Sequence, residues 1–391
     1  MEGHPPRMNA LTFTDEQEQL RDTVRAFLAK ASPEAEVRRM METGPGFDAA
    51  VWRQLAAQLG LPGLHIPEEY GGAGYGWAEL AVVLEEMGAA LLCAPFLATV
   101  LAASALLASG DPEARHDLLP GIAEGTVTAT VAFADTQGRW DDTDSAEAQL
   151  GADGWRLTGV KGFVLDGATA GLLLVTARTG AATGDGDRVG AQRSLFAVAA
   201  DAPGLTRTPL PVMDLTRRQA ELVLQNTPAR LVGAEGGADA VLEHVLQLAA
   251  IALACEGVGG IRTVLGQATT YACQRFQFGR PIGSFQAVKH RCADMLVALE
   301  TAKSAAYYAA ATIGAAPTIG DAGLALAASL AKAWVGDAFV RAAEDNIQLH
   351  GGIGFTWEHP AHLYLKRAKS AQLMFGAPAR HRDLIARHFA L

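Results

Sequence analysis

The texture of this chain changes twice, and that order constrains its fold more than any single motif. TFTDEQEQLRDTVRAFLAKA (12–31) sets Leu20, Val24, Phe27 and Leu28 on one helical face behind a threonine and acidic residues. That is the pattern of a capped amphipathic helix. FDAAVWRQLAAQLG (47–60) repeats it and stops at Gly60, a residue suited to a helix C-cap. Beyond the Gly/Pro-rich connection LPGLHIPEEYGGAGYG (61–76), helical signals resume at Trp77. Short Val-, Leu- and Thr-rich segments then follow: TVTATVAFAD (126–135), WRLTGVKGFVLD (155–166), GLLLVTART (171–179), SLFAVAAD (194–201) and AELVLQN (220–226). These are strand signals, interrupted by the polar, Gly-rich loop 179–193. From about Gly236 helices return, in a run of some forty residues without proline and again in 323–352, which ends at paired glycines. A contiguous β block between two helical blocks is uncommon. It predicts an α+β multidomain chain: an N-terminal helical bundle (1–125), a small middle β-barrel or sandwich (126–235) and a C-terminal helical bundle (236–391).

Bulk properties narrow the function. A chain of 391 residues is too long for one small core, which fits the three-part division. The net charge of −10 argues against a general nucleic-acid binder, whose affinity rests on a basic surface. Cys93, Cys255, Cys273 and Cys292 have no paired spacing, so neither a disulfide framework nor a zinc site is expected. No basic region followed by an apolar stretch opens the chain, so no secretory signal is read there and a cytoplasmic location is expected. The uncharged stretch Met87–Gly110 has the length of a membrane span, but Pro95 interrupts it and alanine dominates. Two buried helices, and no membrane span, are expected there.

Two stretches in the last third do not look like packing helices. QRFQFGRPIGSFQ (274–286) puts Arg275, Phe278–Gly279, Arg280 and Pro281 inside an apolar helical run. The planar fork of Arg275 suits a pyrophosphate. QLHGGIGFTWEHP (348–360) places Gln348 and His350 at a helix end, ahead of Gly351, Gly352 and Gly354. Glycines there let a phosphate approach main-chain N–H groups without a Cβ in the way. Taken singly, each is a weak signal.

Together, R-x-x-F-G-x-x-I-x-x-x-Q followed by Q-x-x-G-G-x-G resembles the acyl-CoA dehydrogenase family over nearly the whole chain. LPGLHIPEEYGGAG and LTGVKGFVLDG resemble further stretches of that family. The resemblance implies FAD as cofactor and α,β-desaturation of an acyl-CoA thioester as the reaction. It implies that Arg275, Phe278 and Gln286 reach the ADP half of a cofactor held mainly by a neighbouring chain, with Gln348, Gly351 and Gly352 meeting the same region. It also implies a homodimer or homotetramer, and an electron-transfer flavoprotein as acceptor.

The catalytic pattern departs from the family. Removing a weakly acidic α-proton needs a well-placed base. Phe375 stands where the usual glutamate would be, in LMFGAPARHR (373–382), and the alternative position on the preceding long helix falls at Ala249. Glu256, two turns beyond Ala249, is the remaining candidate if the helix is displaced or bent at Gly257; otherwise it caps or pairs with a basic group in the bundle. On the flavin-ring side Ala134, Asp135 and Thr136 align with a threonine–glutamate–proline stretch, and Phe163, Val164 and Leu165 with tryptophan–isoleucine–threonine. Hydroxyls are lost at Ala134 and Leu165, so Ala134 and Phe163 are left to hold the ring through the backbone. The losses cluster in one half of the site. This suggests the base-lacking subunit of a heterotetramer with a glutamate-bearing paralogue, as among family members acting on steroid side-chain or other bulky acyl-CoA esters. Small residues such as Ala252, Ala254 and Gly257 suggest room for such a group. The alternatives are a different flavin oxidation in biosynthesis on the same fold, or a non-catalytic structural subunit.

Overall fold

The computed structural model describes residues 13–139, 145–180, 192–315 and 319–391. The reading of the N-terminal ten residues and most of the Gly-rich loop expected at 179–193 lie outside them. Six helices come first: α1 (Asp15–Ala31), α2 (Glu34–Glu42), α3 (Ala49–Leu59), α4 (Trp77–Ala89), α5 (Phe96–Ala108) and α6 (Pro112–Ala123). Seven strands follow: β1 (Ala129–Ala132), β2 (Ala146–Gly151), β3 (Gly154–Leu165), β4 (Leu172–Thr179), β5 (Gln192–Ala199), β6 (Leu205–Pro209) and β7 (Gln219–Val232). The long helix α7 (Ala238–Gln274) leads into a hairpin of β8 (Phe276–Gln277) and β9 (Arg280–Pro281). Helices α8 (Gln286–Ala315), α9 (Ala322–His350), α10 (Ala361–Leu373) and α11 (Pro378–His388) complete the chain.

The expected caps are present. Thr14 and Gln17 form a reciprocal capping box at the start of α1, each side chain meeting the other's backbone N–H. Asp48 caps α3, and Gly60 ends it in the left-handed region at φ 61°.

Two compact units result. One holds α3, α5, α6 and all seven strands of the main sheet, within Met40–Tyr75 and Cys93–Leu246. Its sheet closes on itself: β4 pairs with β2, β2 with β3, β3 with β7, β7 with β5, and β5 again with β4. This is the expected barrel. Leu157, Leu173, Val175, Phe196 and Leu222 are fully buried in its core. Two of its strands carry no strong sequence signal. β2 (AEAQLG) alternates small buried alanines with polar residues, and β6 (LTRTP) pairs only with β7 and ends in proline, as edge strands do.

The second unit comprises residues up to Arg39, Gly76–Leu92 and Gln247–Leu391. Here α4 and α7 cross with their backbones almost touching. A Cβ on Gly259 would come within 1.8 Å of the Glu85 carbonyl oxygen. On α7's other side, a Cβ on Gly260 would strike the Phe339 ring of α9 at 2.2 Å, and one on Gly257 would meet Val335 Cγ1 at 2.7 Å. These glycines serve close helix packing. α7 is helical without a break through Gly257, so the helix is not interrupted beside Glu256. Ala252 and Ala254 are buried in the same helix.

Met87–Gly110 divides into the end of α4 and the 13-residue α5, too short to span a bilayer. Two stretches, Ala238–Gln274 and Ala322–Phe355, have the length and composition to cross a membrane. Most of the apolar part of each is buried inside the protein, as in core helices of a bundle.

Candidate functional site

The two glycine-bearing stretches, some seventy residues apart, are neighbours within the helical unit. Near the end of α7 the Tyr271 ring stacks on His350, the last residue of α9, at 4.3 Å. One turn earlier, Asn346 Nδ2 donates to Gln267 Oε1 at 2.9 Å. His350 itself is structural: it is buried, its Nδ1 lies 2.8 Å from the Asn346 carbonyl oxygen, and its other face meets His359.

Past Gln274 the chain turns back through the β8–β9 hairpin, closed by the Ile282 N–H donating to the Arg275 carbonyl at 2.8 Å. Its two-residue loop is Phe278–Gly279, at φ 55° and 76°. Positive φ at both central positions suits the twist of a tight hairpin, and asparagine or glycine normally takes the first. Phenylalanine there is strained, and its ring is 90% exposed. Such a choice points to a contact that the turn is shaped to make. Arg275 is exposed, and its guanidinium has no acceptor among the described residues, whereas Arg280 lies over the Phe285 ring at 4.1 Å. Gln286, Gln348, Gly351 and Gly352 are also exposed. Nothing lies within 4 Å of a Cβ built on Gly279, Gly351 or Gly352. An unpaired guanidinium and open glycine backbone on one unit are a donor set that fits the pyrophosphate side of a dinucleotide.

The positions expected on the flavin side lie in the β unit. Ala134 is buried, and its carbonyl accepts from the Gly162 N–H at 3.1 Å. Asp135 folds its own loop: its carboxylate accepts from the Gln137 N–H at 2.8 Å, the Arg139 N–H at 2.9 Å and Arg139 Nε at 2.7 Å. Phe163 sits at φ 52° with its ring half-exposed. Neither Ala134 nor Phe163 brings a polar side chain, so contacts from these two positions are limited to backbone.

The segment where the family resemblance places a base is locked. Phe375 adopts φ 56° between α10 and α11, and its side chain is buried. Lys332 of α9, itself buried, donates to the Gln372 carbonyl at 2.9 Å and the Gly376 carbonyl at 3.0 Å. His381 Nε2 donates to the Phe375 carbonyl at 3.1 Å, and its Nδ1 lies 3.3 Å from Ser329 Oγ. Burial brings Lys332 down to about 7 and His381 to about 4. Ala249 is wholly buried. Glu256 is buried beside Arg367, with Oε2 3.6 Å from Nη1. The pairing alternative for Glu256 is therefore the one the structure contains.

Among the described residues, three clusters built on buried charged side chains carry no motif. Lys332 is one. Lys161 of β3 is another, buried in the β unit, where Nζ donates to Thr176 Oγ1 at 3.3 Å and burial lowers its pKa to about 7. The third surrounds Glu85 and Glu86 of α4, with Arg21, Arg25, Arg262 and Tyr307 arrayed on them. The usable signal was the pair Glu85–Glu86 inside an otherwise apolar helix, since buried carboxylates require partners.

Comparison with known proteins points to one family for the chain. The model described as "Acyl-CoA dehydrogenase, C-terminal domain" matches residues 235–390, and "Acyl-CoA dehydrogenase, N-terminal domain" matches 14–126. The chain is 35% identical to "Acyl-CoA dehydrogenase IpdE2" of Mycolicibacterium smegmatis, over 94% of this chain and 96% of that protein. It is 37% identical to the protein of the same name from Mycobacterium tuberculosis, over 93% and 94%. Among solved structures it resembles a variant of the "Tcur3481-Tcur3483 steroid ACAD", at TM-score 0.83 and 31% identity over 96% of this chain and 98% of that one. It also resembles a chain of the ChsE4-ChsE5 complex from Mycobacterium tuberculosis, at TM-score 0.84 and 29% identity over 97% and 98%.

Proposed function

The chain belongs to the acyl-CoA dehydrogenase family, and we propose that it acts there as a base-lacking subunit of a heterotetramer. In this reading Arg275 holds the pyrophosphate of FAD, with Gln286, Gln348 and the backbone at Gly351 and Gly352 beside it. Phe278 supplies an apolar ledge. On the ring side, Ala134 and Phe163 offer backbone only. FAD, when bound, supplies the two-electron acceptor for α,β-desaturation of the acyl-CoA thioester.

The observation that carries this reading is the turn at Phe375. A buried phenylalanine occupies the base position, Ala249 offers a methyl group, and Glu256 faces Arg367. None is free to take an α-proton, so the carboxylate is assigned to a glutamate-bearing paralogue. Relatives named as a steroid ACAD and as a two-component ChsE4-ChsE5 complex support a bulky, steroid-derived acyl group and a heteromeric assembly. Residues 1–125, 126–235 and 236–391 are taken as the three domains, with an electron-transfer flavoprotein as acceptor and the cytoplasm as compartment.

The test is purification of the chain alone and with a co-expressed paralogue, measuring visible absorbance, size and desaturation of a steroid side-chain acyl-CoA. Alone, the chain is expected to be colourless and inactive; with its partner, flavin and activity appear together. A yellow, active homo-oligomer would refute the proposal. A partner that keeps flavin and full activity without this chain would leave it a structural subunit only.

A further inference from the structure

A cleft of about 480 Å³ opens in the helical unit, bordered at one edge by Gln267 and Pro360 next to the stretches described above. Its walls include Leu28 and Val37, Leu91, and Leu363. Its floor is the C-terminal end of α4, where the terminal carbonyls are already satisfied. Tyr364 Oη and Thr263 Oγ1 donate to the Ala89 carbonyl at 2.7 and 3.2 Å, and Ser32 Oγ donates to that of Ala90 at 3.2 Å.

At one end stand Arg25 and Arg262, over Glu86. Arg25 reaches Glu86 through Nε at 3.1 Å and Nη2 at 3.0 Å. Its Nη1 is left with only a 3.5 Å contact to the exposed Asp22. Arg262 spends Nη1 on Glu85 at 2.6 Å and Nη2 on Glu86 at 2.8 Å, and its Nε has no acceptor among the described residues. Behind them Arg21 also bonds both carboxylates. Three guanidiniums thus face two buried carboxylates, with the exposed Glu18 on Arg21 at 3.3 Å and the exposed Asp22 on Arg25 at 3.5 Å at their outer side. Glu34 at the rim is engaged by Arg38 Nε at 2.8 Å.

A separate feature points to the same place. Gly266 lines the cleft in the interior of α7, where glycine costs about 1 kcal/mol relative to alanine. Gly257, Gly259 and Gly260 are each required by a neighbour that a Cβ would strike, but a Cβ on Gly266 meets nothing within 4 Å. Packing does not explain it. A ligand lying on the bare helix backbone does.

We propose that this cleft binds a small amphipathic monoanion, with its carboxylate-like head on Arg25 and Arg262 and its hydrocarbon body along Leu28, Val37, Leu363 and Gly266. The volume lies in the range of small-molecule sites, and apolar walls with a few convergent polar groups are their usual chemistry. A guanidinium pair with unused N–H groups favours an anionic head over a neutral one.

Decanoate is the probe, titrated against the purified chain by calorimetry, with 1-decanol as the neutral counterpart. The expected result is saturable one-site binding of decanoate, at least about tenfold weaker for the alcohol. Gly266→Leu fills the cleft from an unstrained helical position and should abolish binding while keeping the circular dichroism and leaving the melting temperature no lower than the parent's. Arg25→Gln, at a half-exposed position, should weaken binding about tenfold, while Glu86 keeps Arg21 and Arg262. Absence of saturation at millimolar decanoate would overturn the proposal. Binding that Gly266→Leu leaves unchanged would overturn it as well, because the probe would then occupy another site.

Discussion

Gly88 of α4 lies directly against the backbone of Glu256 in α7: a Cβ on Gly88 would come within 2.1 Å of the Glu256 carbonyl oxygen. Neither partner can yield locally, because both atoms belong to helix backbone. Gly88→Ala therefore has to push two helices apart, and a loss of more than about 3 kcal/mol is expected. Gly266→Ala, in the same bundle but beside open space, should instead gain up to about 1 kcal/mol. Urea unfolding of the two variants checks the contrast; equal effects would mean that the α4–α7 crossing is looser than described.

The crossing also fixes what Glu256 can do. Its carboxylate is held beside Arg367, both buried, on a helix that cannot rotate without moving Gly88. Removing one member of a buried pair leaves the other uncompensated, so Glu256→Ala should cost about 3 kcal/mol. In the partnered enzyme, kcat per folded complex should stay within about twofold, since a loss of proton abstraction would lower it by orders of magnitude. A fall of about a hundredfold or more in kcat with unchanged stability would return Glu256 to the role of base.

Much of this arrangement was legible in the sequence because it rests on local rules. Thr14, Gly60 and the paired glycines after His350 mark helix ends through their own backbone chemistry, and Phe278–Gly279 marks a break in the helical run, though not the hairpin formed there. Long-range packing was not legible. Gly257 reads in sequence as space or flexibility until α9 is seen to pack against it, with α4 and α9 packed on Gly259 and Gly260 beside it. Ala146 and Ala148 are too small, and too mixed with polar residues, to announce β2. Lys161 and Lys332 appear in sequence as ordinary surface lysines; burial, which only the tertiary fold decides, sets them apart.

Lys161 carries a pH signature. Burial lowers its pKa from 10.5 to about 7, so between these values the unfolded chain binds a proton that the folded chain does not. Stability from this group is therefore fully present above pH 10.5 and is lost as pH falls through about 7. Lys161→Met removes the penalty together with one long hydrogen bond to Thr176. At neutral pH the variant should be more stable by on the order of 2 kcal/mol, and the gain should shrink toward zero by pH 10. Denaturant titrations at several pH values decide it. A constant difference would mean that Lys161 stays charged in the folded protein.

The hairpin loop offers a test in which stability and binding move in opposite directions. Phe278 holds φ 55°, a region that disfavours a bulky residue by about 1 kcal/mol and favours asparagine at this turn position. Its ring is almost fully exposed, so the chain alone gains little burial from it. Phe278→Asn should therefore stabilise the isolated chain, by about 0.5–1 kcal/mol. If the ring is shaped to lie against the cofactor or the chain that holds it, the same change should lower the flavin content of the partnered complex several-fold. Arg275→Ala supplies the reference. It removes an exposed guanidinium with no partner in the described chain, so the melting temperature should hold while flavin is lost about tenfold or more. Absorbance of the two complexes, set beside the melting temperatures of the isolated chains, separates the outcomes. A more stable Phe278→Asn chain whose complex retains all its flavin would show that the strained turn serves something other than the cofactor.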